Sequence, residues 1–121
     1  QNYWNPLRGD DIVVLSPAIM QEIFDTNVNC YTGFAAKSLQ RCLNVLNDRG
    51  KYYPDITIDG VIGQQTITCL AAYLTRRGKE GEQVLLRMLN SLQGTHYITL
   101  AESREKDETF VYGWFNHRVV I

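Results

Sequence analysis

The sequence predicts an all-α fold. Three observations carry that expectation. Apolar residues recur at three- and four-residue spacing through most of the chain. Ser16-Pro17 is a helix start, with Ser as N-cap and Pro at the first helical position. Turn residues at Gly33, at Asn47-Asp48-Arg49-Gly50 and at Asp59-Gly60 separate the periodic runs. Only Ile56-Thr57-Ile58 alternates, which allows at most a very short β segment near 56–58.

Residues 1 to 15 read as irregular, with Val13-Val14-Leu15 as an apolar run packing under the first helix. That helix runs from Ser16-Pro17 to about Asn29, with Ile19, Met20, Ile23, Phe24 and Val28 at helical spacing. A second helix covers about Phe34 to Leu46. Ala35, Leu39, Cys42, Leu43 and Leu46 form its stripe, and Lys37, Gln40, Arg41 and Asn44 fall off it. Lys51 to Ile58 is extended, with Tyr52-Tyr53-Pro54 as a stiff aromatic corner. The third helix spans about Gln64 to Thr75 and ends near Gly78. A long helix starts near Glu80 or Glu82 and runs to about Lys106, roughly 35 Å at 1.5 Å per residue. Gly94-Thr95 is where it would kink. A last short helix, about Asp107 to Asn116, carries Phe110, Val111, Trp114 and Phe115. Neither a linker nor an internal repeat divides the chain, so residues 1–121 read as a single helical domain around one core.

Composition narrows the function classes. A net charge of −1 over 121 residues supplies no field to steer nucleic acid or an anionic membrane. The basic run Arg76-Arg77 with Lys79 most simply complements a helix C-terminus. The absence of an apolar run of membrane-spanning length argues against a membrane span. The three cysteines, Cys30, Cys42 and Cys69, lack metal-ligand spacing and are an odd number, which argues against both zinc and a disulfide framework. Cys42 and Cys69 sit on apolar faces as small hydrophobes. His96 and His117 are isolated, and no HExxH or phosphate-cradling loop occurs, so no cofactor or metal is expected.

The most distinctive stretch is Asp59-Gly60-Val61-Ile62-Gly63-Gln64-Gln65-Thr66. Asp-Gly favours a turn, because Gly tolerates positive φ and Asp hydrogen-bonds its own backbone. Val61 and Ile62 would be a buried pair, and Gly63 a second unusual backbone angle or close approach. Thr66 then lies early in a helix, giving a compact knuckle between two apolar runs.

That knuckle resembles the repeat loop of bacterial peptidoglycan-binding helical modules. Further segments resemble glycoside hydrolase family 108, the lysozyme-like endolysins with relatives described as secretion activators. Tyr3-Trp4-Asn5-Pro6-Leu7-Arg8-Gly9-Asp10 is similar to its YW-x-P-x-x-G-D segment. Phe24-Asp25 with Val28-Asn29 is similar to FD-x-x-VN, Leu39-Gln40-Arg41-Cys42-Leu43 to LQRAL, and Gly113 to Arg118 to its GW-x-N-R ending. These segments fall in the family's order and cover nearly the whole chain. The resemblance implies a lysozyme-like helical bundle, a peptidoglycan-binding region over about 34–121 and peptidoglycan glycan strands as the partner. The family's catalytic glutamate lies in an EGGY-type segment upstream of the YW motif, and no such segment occurs in this sequence. The resemblance therefore implies the later part of a hydrolase, with no catalytic residue inside the chain. The alternatives are a non-catalytic wall-binding module and an interaction protein in secretion.

Glu22 and Asp25 lie three apart on one helical face, and paired carboxylates are what glycoside hydrolysis uses, although neighbours on one helix sit close for that. A solvated face is the simpler reading. Asn29 either caps the helix C-terminus or presents its amide to a sugar. By resemblance that helix end faces the saccharide cleft, which makes Asp25, Asn29 and Tyr31 candidate substrate contacts. Tyr97 joins them as a buried ring with its hydroxyl at the rim. Trp114, between Phe110, Val111 and Phe115, reads as core, and Tyr52-Tyr53 is the aromatic pair with the best claim to exposure, a packed corner being the equal alternative.

Overall fold

The protein is described here by a computed structural model, which covers residues 7–30, 33–103, 112–113 and 115–116. Most of the described residues are helical, and none of them lies in a strand. Four helices follow one another: α1 (Gly9–Leu15), α2 (Pro17–Asn29), α3 (Phe34–Val45) and α4 (Gln64–Ser103).

The segment read as irregular contains α1. Arg8, at φ 51°, starts it, and Asp10 and Asp11 occupy its first turn, where carboxylates favour the helix dipole. Ile12 is fully buried on its inner side, so burial decides what a short and weak helical signal left open. Ser16 ends α1 and caps α2. Its hydroxyl accepts from the Ile19 N–H at 3.0 Å and donates to the Glu82 carboxylate at 2.5 Å. One side chain thus fixes both the α1–α2 corner and the contact with α4. Ile19, Met20 and Ile23 are buried as their spacing predicts, while Val28 is exposed.

The α3 stripe holds: Ala35, Leu39, Cys42 and Leu43 are buried. Gln40, expected off the stripe, is also buried, at 1% exposure. Three consecutive left-handed residues, Asp48, Arg49 and Gly50, turn the chain after α3. Residues 56–58 form no strand. Instead the Asn44 side chain acts as a substitute strand, accepting from the Ile56 N–H and donating to its carbonyl, each at 2.8 Å.

α4 combines the two helices expected after the knuckle. Gly78, at φ 63° and ψ −149°, breaks it into two arms. That backbone conformation is essentially restricted to glycine. No break occurs at Gly94-Thr95, where a kink was expected; Gly94 is buried and the helix passes through it. Thr95 is helical, and its hydroxyl donates to the Ser91 carbonyl at 3.0 Å. The core lies where α2, α3 and both arms of α4 meet, with Leu39, Leu43, Leu70, Tyr73 and Leu85 at its centre. Most of the helix expected over 107–116 is outside the described residues; Tyr112, Gly113, Phe115 and Asn116 are helical.

Candidate functional site

The knuckle is held from within by one amide. Gln40 Nε2 donates to the Val61 carbonyl at 2.8 Å, to Asp59 Oδ1 at 3.1 Å and to Thr66 Oγ1 at 3.3 Å. Its Oε1 accepts from the Gly60 N–H at 3.0 Å. Asp59 also accepts from the Val61 N–H at 2.9 Å, the local turn that the Asp-Gly pair predicts. These two donors hold the Asp59 carboxyl below its ordinary pKa. Gly60 takes φ 79°, and a β-carbon there would press on Lys37. Gly63 has no positive φ, and a β-carbon there would meet open space, so it needs neither of the freedoms expected of it. Ile62 is buried but Val61 is 64% exposed, so the expected buried pair is a single anchor. The knuckle's rigidity comes from Gln40 rather than from two apolar side chains.

Beside the knuckle, the 53–56 loop lies along the start of α4. Three contacts pin it. Tyr53 donates to the Leu43 carbonyl at 2.8 Å, Asn44 holds Ile56, and the Cys69 thiol meets the Pro54 carbonyl at 3.8 Å. Between loop and helix is a cleft of about 220 Å³, with Tyr53, Pro54, Asp55 and Ile56 on the loop side and Gln64, Gln65 and Thr68 on the helix side. Gln64 accepts from Arg8 and donates to Thr68. The Gln65 side chain makes no hydrogen bond within the described residues, and the residue is exposed on α4. An apolar floor with amides and a hydroxyl at the rim suits a sugar ring and its acetamido group.

A neighbouring depression of about 550 Å³, lined by Asn44, Asn47 and Asp55 among others, is less suited. Its amides are already committed to the loop: Asn44 to Ile56, and Asn47 to Asp55 and the Gly50 N–H. A third hollow of about 290 Å³, between α3 and the second arm of α4, is mainly apolar, with Val45, Met88 and Leu92 on its walls.

At the other end of the first arm of α4, Tyr52 collects cations. The Arg76 guanidinium lies 4.6 Å from its ring centroid, Arg77 5.3 Å and the Lys51 ammonium 5.8 Å. Arg76 also donates to the Tyr52 hydroxyl at 3.3 Å, and chiefly by that bond the hydroxyl is held below the usual phenol pKa. Of the expected exposed aromatic pair, Tyr53 is buried and Tyr52 is half-buried beneath these cations.

The residues expected at the end of α2 are placed as follows. Asp25 is half-buried and accepts from Gln21 at 2.9 Å. Asn29 is the last residue of α2, and its side chain, like all of Tyr31, lies outside the described residues. Tyr97 is 1% exposed, with its ring edge-on to Phe115 at 6.3 Å. It belongs to the core, and its hydroxyl is buried rather than at a rim. The structure joins this end of α2 to α4 through Gln93, which donates to Thr26 at 3.0 Å; Thr26 donates in turn to Glu22 at 3.3 Å. Burial beside this chain of bonds raises the Glu22 carboxyl to about 7, with Asp25 adding repulsion. Burial likewise pushes the Cys30 and Cys42 thiols up to about 11, far from a reactive thiolate.

Sequence reasoning missed Gln40 and the Tyr52 cluster. Both rest on contacts about twenty or more residues apart in the chain, which no local pattern reports.

The sequence profile of a family described as a predicted peptidoglycan domain matches residues 34–119. The match takes in α3, the knuckle, the cleft and all of α4 and assigns this region a peptidoglycan-binding role. A comparison with curated proteins finds no match. No helix among the described residues is long and apolar enough to cross a membrane.

Proposed function

The chain belongs to the predicted peptidoglycan domain family, and from that membership we propose that it holds peptidoglycan glycan strands for a lysozyme-like glycoside hydrolase. The observation that carries the proposal is the cleft beside the knuckle, where a pinned loop carrying Tyr53, Pro54 and Ile56 lies across from Gln65 inside the matched region. A site whose loop is tied at Leu43, Asn44 and Cys69 before ligand arrives loses little ordering entropy on binding. The hydrolase context rests on the resemblance of the Tyr3–Asp10, Phe24–Asn29 and Leu39–Leu43 segments to glycoside hydrolase family 108, whose acid lies upstream of them. In this reading Asp25, Asn29 and Tyr31 border the saccharide where α2 ends.

Sedimentation with purified sacculi tests the binding. Wild-type protein should pellet with them, and the paired substitution Gln65→Ala with Thr68→Val should release it to the supernatant at unchanged thermal midpoint. Equal pelleting of the two proteins would move the glycan off this cleft. For the hydrolase context, the product of the whole gene should release soluble muropeptides from sacculi. Binding without release would favour the non-catalytic wall-binding module.

A further inference from the structure

We propose that the cluster of Lys51, Tyr52, Arg76 and Arg77 receives a free carboxylate of the peptidoglycan peptide stem; this rests on the cleft reading above. Three cations surround one tyrosine ring within 5.8 Å of its centroid. The ring face, rich in π density, draws them together although like charges repel. Among the described residues none of the three forms an ion pair with a carboxylate, whereas Arg8, Arg49 and Lys79 each do. The cluster is therefore a concentration of positive charge without its counter-charge, held in place by a half-buried aromatic.

Its position says what it would meet. The 51–56 loop and the first arm of α4 form one seam. Tyr52 lies against Arg76 and Arg77 at one end, and Pro54 lies against Cys69 further along. Thr68 in the cleft and Arg76 in the cluster are about 12 Å apart along the helix at 1.5 Å per residue. A sugar seated in the cleft would carry its peptide branch along the same seam to the cations. Arg76 gives one N–H to the Tyr52 hydroxyl and has others left, and the fork of a guanidinium matches a carboxylate. The chain's net charge of −1 favours a small discrete anion over a phosphate polymer or an anionic lipid surface, which need a broad positive field.

The test titrates labelled stem peptide with free carboxylates, the same peptide with its carboxylates amidated, and glycan strands stripped of their stems. Wild-type protein should bind the free peptide about tenfold more tightly than the amidated one, the scale of one lost charge-assisted pair. The double variant Arg76→Gln, Arg77→Gln should lose a similar factor for the free peptide and none for stripped glycan. Arg76→Lys with Arg77→Lys keeps the charge but not the fork and should recover part of the affinity that the Gln pair loses, which separates lost recognition from lost folding. Equal binding of free and amidated peptide by wild type would overturn the assignment. So would tighter binding of teichoic acid or phosphatidylglycerol vesicles through the same arginines. Failure of stripped glycan to bind either protein, with peptide binding intact, would sink the cleft reading and leave the cluster standing.

Discussion

The Tyr73 hydroxyl donates to the Gly81 carbonyl at 2.6 Å, across the break that Gly78 makes in α4. That bond fastens the end of the first arm to the beginning of the second. It is buried, and Tyr73 is among the largest fully buried side chains. It also fixes how close the arms come: a β-carbon on Gly81 would lie 2.1 Å from the Arg77 β-carbon.

Gly81→Ala should therefore destabilise the protein by roughly 2 kcal/mol or more, because the clash is with the base of a side chain that cannot swing away. Ala is otherwise the better helix former, so propensity alone predicts stabilisation. A urea melt decides between them, and an unchanged or raised midpoint would refute the close approach. Tyr73→Phe should cost about 1 kcal/mol through the lost bond alone.

Gln40→Ala should cost roughly 2 kcal/mol and loosen the knuckle, since the Gly60 N–H and Val61 carbonyl lose their partner. Gln40→Glu should be no better at neutral pH. A carboxylate cannot donate to the Val61 carbonyl, and it would face the Asp59 carboxylate. Thermal midpoints of the three proteins, with amide exchange at Gly60, check this; protection of that amide in Gln40→Ala would show that the bond is dispensable.

Asn44→Ala removes both ties on Ile56 and loosens that end of the 53–56 loop, while Tyr53 and Pro54 keep theirs. Stability should fall by about 1–2 kcal/mol. Sacculus binding should weaken as well, because the Ile56 part of the loop wall loses its hold. Binding equal to wild type would show that the loop needs no pinning.

Glu22 sets a pH dependence. Its folded carboxyl is raised from 4.5 to about 7 by burial, so the fold favours the protonated form. Below 4.5 the group is protonated in both states and costs nothing. Between 4.5 and 7 only the unfolded chain releases its proton, and stability falls as pH rises; above 7 the loss is complete. Screening of this partly exposed group leaves a loss of order 1 kcal/mol. Glu22→Gln should flatten the profile and raise stability at pH 8, and a wild-type profile flat from pH 5 to 8 would contradict the burial.

The elements could be read in the sequence because local rules write them. Ser16-Pro17 marks where α2 starts, the spacing of Ala35, Leu39 and Leu43 marks the buried face of α3, and Asp59-Gly60 marks the turn. Each signal depends on neighbours within about one helical turn, over which steric and hydrogen-bonding preferences act. Tertiary contact alone decided the rest. Gln40 reads as a polar residue off the stripe and becomes the buried tie of the knuckle, because the Asp59–Thr66 segment folds back onto it. Arg76 and Arg77 read as a dipole complement and become one cluster with Lys51, because a loop more than twenty residues earlier places the Tyr52 ring beneath them. Gly94 reads as a break and stays helical and buried, whereas the helix end read near Gly78 is where the break does fall, in a conformation essentially restricted to glycine. In each case the deciding energy is a contact between distant segments, which is absent until the chain has folded.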